Sequence, residues 1–235
     1  ISLGLVGSEM CIRDSITNEE KGCAKINLAL HVTGIQADGY HALDSIVVFT
    51  DVFDRLFFKR SLKNVVTLTG EFSGSINVQE NSILQALKLF GNGLTDRFSI
   101  NLEKNLPIGA GLGGGSADAA AVIRFITNNS KHLMPSYEVL SKIGADIPAC
   151  VLSVASRVGG IGEIVRPLDM SEINLWVVLV NPDIFVSTGS IFEEVTEKHN
   201  QPLESFIDLS STDKFVDYLK TVSYTHLRAH ETQRN

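Results

Sequence analysis

Residues 107–120 read Pro-Ile-Gly-Ala-Gly-Leu-Gly-Gly-Gly-Ser-Ala-Asp-Ala-Ala, a stretch whose chemistry is suited to holding an anion. Gly109, Gly111, Gly113, Gly114 and Gly115 shield the backbone little, so successive N–H groups can turn toward one concave space. Ser116 then opens an alanine-rich run with Ala119, Ala120, Ile123 and Ile126 at helical spacing, and reads as the helix N-cap. A glycine loop feeding a helix N-terminus joins unpaired donors to the positive end of a helix dipole, which suits phosphate. Upstream, Lys25 and Asn27 lie two apart in Ala-Lys-Ile-Asn-Leu-Ala-Leu-His-Val, where Ile26, Leu28, Leu30 and Val32 alternate with polar or small residues. Strand alternation projects Lys25 and Asn27 from one side, either as a converging polar pair or as the wet face of an amphipathic strand. Asp146, in Gly-Ala-Asp-Ile-Pro, follows a glycine terminator and fits a turn residue accepting local N–H groups.

The elements that must position these groups follow in chain order. Asp38-Gly39 predicts a tight return into β-rich residues 43–58, with Tyr40 and His41 just past the turn. Those two rings could stack on or hydrogen-bond a base, or form a packed loop corner. Residues 65–69 predict a strand, Asn81 a helix cap, and Phe98, Ile100 and Leu102 a strand running into the glycine loop. Ala117, Ala119, Ala120 and Ala121 are small enough to let the next helix lie close to a neighbour. A second helix is expected over 136–143, ending at Gly144. Residues 151–167 are punctuated by glycine, residues 175–180 read as a buried strand, and residues 188–197 read as a helix start.

The chain has 235 residues, 44% hydrophobic and 20% charged, enough for one large or two small domains. Its net charge of -7 argues against a nucleic-acid surface, which needs clustered Lys and Arg. Three scattered cysteines suit a reducing compartment better than a disulfide or zinc framework. The apolar run 175–180 is far short of the roughly 20 residues of a membrane span, so no transmembrane helix is expected. Residues 1–15 and 222–235 resemble translated sequencing-adapter read-through and are set aside from fold reasoning. His226 and His230, spaced four apart in that tail, lack the glutamate of a zinc-protease helix, and no metal ligands are assigned.

Three phosphate loops compete for residues 107–117. No lysine follows the glycines, which rules out a Walker A loop. Gly109, Gly111 and Gly114 satisfy Gly-x-Gly-x-x-Gly, yet the ribose-binding acid of a dinucleotide site is missing about twenty residues on. The third reading fits more positions: Pro-x-Gly-x-Gly-Leu-Gly-Gly-Gly-Ser-Ala resembles the ATP loop of the GHMP kinase superfamily. Ala-Lys-Ile-Asn-Leu, Asp-Gly-Tyr-His and Gly-Ala-Asp-Ile-Pro extend the resemblance over residues 24–222.

That resemblance implies an α+β, two-domain GHMP architecture. A ribosomal protein S5 domain 2-like, ATP-binding N-terminal domain would cover 16–155. An incomplete ferredoxin-like C-terminal domain would cover 156–222, with adapter-like tails at 1–15 and 223–235. It implies ATP and Mg²⁺ as cofactors, a small-alcohol acceptor of the cytidylyl-linked methylerythritol kind, and a bacterial cytoplasmic or plastid stromal setting. Pro107, Ile108, Gly109, Ala110, Gly111, Leu112, Gly113, Gly114, Gly115, Ser116 and Ala117 would wrap the ATP phosphates. Lys25 and Asp146 match the catalytic pair. Asn27, Tyr40, His41, Thr188 and Phe192 match acceptor contacts, and Asp118 is expected to hydrogen-bond within the loop. The superfamily's third glycine-rich motif has no match here, so the chain reads as a C-terminally truncated member. Another GHMP small-alcohol kinase, or a catalytically silent ATP-binding fragment, stays open.

Overall fold

A long strand that pairs along both edges is the frame of this molecule. The computed structural model describes residues 19–37, 39–75, 82–91, 96–180, 191–192, 194–205 and 207–222. Strands β1 (Glu19–Ile35) and β2 (His41–Ser61) form an antiparallel hairpin from Glu19 opposite Phe57 to Ile35 opposite His41. Gly39 closes it with φ +88, a left-handed backbone that glycine adopts without a Cβ clash; Asp38 lies outside the described residues. The other edge of β2 is shared. Its first part pairs with β5 (Ser156–Gly160) and its last part with β4 (Arg97–Glu103), both antiparallel. β3 (Val65–Thr69) pairs parallel to β4, and β6 (Ile164–Pro167) pairs antiparallel to β5, giving one six-stranded sheet. β5 and β6 follow residue 155 in the chain and belong to the same sheet as the strands before it.

The main core lies between this sheet and four helices: α1 (Ser82–Leu89), α2 (Gly114–Asn129), the short α3 (Tyr137–Ser141), which contributes Leu140, and α4 (Ile147–Leu152). β4 alternates buried and half-buried along its whole length, as period two requires. Ala117, Ala119, Ala120 and Ala121 of α2 are all buried, so this helix sits close to the sheet. Phe125 stacks on Phe58 with centroids 3.8 Å apart and meets Phe98 edge-on at 5.3 Å.

A second cluster gathers Ala29, Ile46 and Leu203 around Phe215 of α5 (Thr212–Thr221), whose cap Ser211 accepts the Lys214 N–H at 3.4 Å. This cluster corrects the expected alternation of β1. Ala29 is fully buried and Ile26 and Leu28 only half-buried, because residues 203–222 cover part of the strand and bulges near Ala24, Leu28 and Thr33 shift its alternation.

Three further expectations change. The N-cap of α2 is Gly113 at φ +65, so Gly114, Gly115 and Ser116 form its first turn and Ser116 is not the cap. α3 is shorter than 136–143, with Ser136 as its cap. Among the described residues, 175–180 pair with no strand of the sheet; Trp176, Val178 and Val180 are 93%, 87% and 86% exposed. An apolar run records affinity for a partner without supplying one. The cap expected at Asn81, and residues 188–190 of the helix start expected over 188–197, lie outside the described residues.

Candidate active site

Lys25 stands at the centre of the site because β1 brings it beneath the glycine loop. Its backbone N–H donates to Leu112 O at 2.9 Å, tying the strand to the loop. Its buried Nζ donates to Asn27 Oδ1 at 2.7 Å and lies 3.1 Å from Asp146 Oδ1. The two-residue spacing on β1 thus does place Lys25 and Asn27 on one side. Asp146 reaches them from the N-cap position of α4, where a glycine-terminated turn enters a helix with Pro148 in its first turn. The carboxylate makes no side-chain cap hydrogen bond and its side chain is 43% exposed, so one oxygen meets the ammonium while the group stays open to a ligand.

The loop above this pair turns on Gly109, Gly111 and Gly113, at φ +70, +73 and +65. A side chain at these positions would be strained, and a Cβ at Gly113 would lie in contact with Lys25 at 3.4 Å and Asp146 Oδ2 at 3.5 Å. The loop's end, the ammonium and the carboxylate therefore converge. Gly109, Gly111 and Ile108 are exposed, Pro107, Ala110 and Leu112 half-buried. The N–H groups of Gly114, Gly115 and Ser116 begin α2 and have no intrahelical acceptor. Ala117 differs: its N–H already donates to Gly113 O at 2.8 Å and its side chain is buried, so it is a helix residue behind the cradle.

Of the residues expected to contact the acceptor, Asn27 lies beside Lys25, while Tyr40, His41 and Phe192 gather at the closed end of the hairpin. His41 stacks on Phe192 with centroids 5.2 Å apart and planes 26° from parallel, and burial lowers the imidazole pKa, Lys198 adding to the effect. Tyr40 beside them is 59% exposed, and Thr188 lies outside the described residues. Lys25 pairs with Phe49 and Ile35 with His41, so the ring pair and the lysine are about ten strand residues apart, at most ~33 Å if fully extended.

Beneath the loop lies a charged group that sequence reading only half found. Lys104 follows β4 and pairs with Asp54 of β2 and, at 3.0 Å, with Asp118 of α2; all three are buried. Asp118 was expected to bond within the loop; it bonds instead to Lys104 below it. The signal available was charge inside apolar stretches, since Asp54 interrupts a Phe- and Leu-rich strand and Asp118 an alanine run. A charge so placed needs a buried partner.

Comparison with known proteins shows what the chain is similar to. Residues 81–160 match the model of the GHMP kinases N terminal domain. A 4-diphosphocytidyl-2-C-methyl-D-erythritol kinase of Cereibacter sphaeroides is 38% identical over 198 residues, 83% of this chain and 70% of that protein. The chain belongs to the 4-diphosphocytidyl-2-C-methyl-D-erythritol kinase family. A member from Ruegeria pomeroyi is 40% identical over 77% of this chain and 64% of its own length, so the chain spans about two thirds of these kinases. A crystal structure of a 4-(cytidine 5'-diphospho)-2C-methyl-D-erythritol kinase superposes with a TM-score of 0.64 at 27% identity, covering 83% of this chain and 71% of that one. The α+β fold is thus that of the GHMP kinases, a family that uses ATP as phosphate donor.

Proposed function

We propose that this chain carries the ATP-dependent kinase site that phosphorylates the 2-hydroxyl of 4-diphosphocytidyl-2-C-methyl-D-erythritol, a step of the non-mevalonate isoprenoid pathway. The observation that carries the reading is the Lys25 ammonium held between Asn27 and Asp146 at the end of the glycine loop. Asp146 accepts the proton of the attacking hydroxyl, and Lys25 offsets the negative charge that develops beside it. Asn27 fixes the ammonium and faces the acceptor. The glycine loop and the first N–H groups of α2 orient the triphosphate, which is most of what phosphoryl transfer asks of a protein.

Positive-φ glycines and open space beside Gly111 fit a triphosphate lying against backbone. Among the described residues no three His, Cys, Asp or Glu side chains cluster to hold a metal. A Mg²⁺ ion brought with ATP would supply charge neutralisation at the phosphates. His41, Phe192 and Tyr40 suit the base of an extended acceptor whose reacting hydroxyl reaches Lys25.

A coupled ADP-release assay on this chain, with 4-diphosphocytidyl-2-C-methyl-D-erythritol, homoserine and mevalonate offered in parallel, tests the reading. Turnover is expected with the first alone, and Asp146→Ala should lower kcat at least 100-fold while ATP still binds. Turnover of homoserine or mevalonate would replace the substrate, and ATP binding without ADP release would make the chain a silent nucleotide-binding module.

A further inference from the structure

The glycine loop leaves the sheet and returns to it over the same three buried charges. At its start, the N–H groups of Asn105 and Leu106 both donate to Asp54 Oδ1, at 2.6 and 2.8 Å. The other Asp54 oxygen accepts from Lys104 Nζ, which also donates to Asp118 Oδ2 at 3.0 Å. At its end, Gly114 rests on that ammonium: a Cβ there would lie 3.0 Å from Lys104 Nζ and 3.7 Å from Asp54 Oδ2. Gly22, opposite Asp54 in the β1–β2 register, makes room for this, since a Cβ on it would come within 2.7 Å of Asp118 Oδ1. That oxygen is buried and has no hydrogen-bond partner among the described residues.

Stability alone does not account for the arrangement. Two carboxylates share one ammonium out of contact with water, and burying such a group costs several kcal/mol per ion, which well-packed apolar side chains would avoid. What the charges do that apolar groups could not is fix directed hydrogen bonds to two consecutive backbone N–H groups and hold the start of α2 at a set distance. We propose that Asp54, Lys104 and Asp118 are positioning residues that fix both ends of the glycine loop and so set the geometry of the N–H groups offered to the ATP phosphates. The proposal rests on the ATP-binding reading above. It adds residues that touch neither nucleotide nor acceptor and act through the loop.

The test is calorimetric titration of ATP into the full chain and its Asp118→Asn and Asp54→Asn variants, both near-isosteric, with circular dichroism as the measure of folding and KM for the alcohol acceptor as a second readout. Each variant is expected to bind ATP at least tenfold more weakly, with the folded spectrum kept and the acceptor KM within twofold of the parent. ATP affinities within twofold of the parent in both variants would overturn the positioning role while leaving the ATP reading intact. So would loss of the folded spectrum in both, or an acceptor KM that rises in step with the ATP constant, since those results mark a general structural part. If the parent chain itself binds no ATP, the ATP reading and this proposal fall together.

Discussion

Asp118 shares the Lys104 ammonium with a second carboxylate, and its titration reflects that sharing. Burial raises its pKa to about 7; Lys104 opposes the shift, and Asp54 adds to it. The charged groups facing it are Lys104 and Asp54, while β1 presents Gly22 and α4 the buried Cys150, whose thiol burial also pushes up. An acid held above its ordinary value of 3.8 in the fold contributes stability that is fully present below that value and is lost as pH rises toward about 7. From about pH 4 to 7, unfolding free energy should therefore fall relative to Asp118→Asn, by up to about 1.4 kcal/mol per pH unit. Urea unfolding of the two proteins across that range measures the difference, and parallel profiles would mean that Asp118 keeps its charge in the fold. The pair that reading from sequence did anticipate, Lys25 with Asn27, was legible because a two-residue strand spacing is local. Lys104 with Asp54 and Asp118 joins positions 50 and 14 apart in the chain, and no local pattern records that meeting.

Among elements, α4 matters most for the chemistry, since it carries Asp146 and is only six residues long. So short a helix has little stability of its own and must be held by contacts. Arg124 of α2 supplies them: Nη1 donates to Cys150 O at 2.7 Å and lies 3.4 Å from Ser153 Oγ, Nη2 donates to Lys21 O at 2.6 Å, and Nε donates to Glu20 Oε2 at 3.1 Å. One side chain thus joins α2, the C-terminal end of α4 and β1, the elements that converge on Lys25 and Asp146. Arg124→Met keeps the aliphatic stem and removes those donors, and is expected to lower stability by about 1.5–3 kcal/mol. A matching drop in the urea midpoint with an unchanged slope would support this; an unchanged midpoint would show that α4 is held by its apolar face alone. The glycine loop was readable in outline because positive-φ turns call for glycine, yet its last two glycines are helical. Composition favours glycine both in a loop and at a close helix start, so it could not tell where Gly113 ends one and Gly114 begins the other.

At the scale of the whole molecule, the sheet fixes a physical boundary. We propose that the N-terminal unit extends through β6 to Pro167, beyond residue 155, because β5 pairs with β2 from Leu43 opposite Gly160 to Val47 opposite Ser156. Arg157 of β5 then grips Asp44 of β2 through two hydrogen bonds of 2.8 and 2.7 Å, and donates to the carbonyls of Leu203 and Glu204. These bonds fasten the later chain to the sheet beside Phe215. Between those anchors, residues 176–180 carry apolar side chains outward, and the chain's single tryptophan, Trp176, is 93% exposed. Its fluorescence should therefore emit as indole does in water, be open to quenching by iodide, and move little to the red on unfolding in urea. A blue-shifted, iodide-resistant emission that depends on protein concentration would instead place these exposed apolar side chains against a second copy.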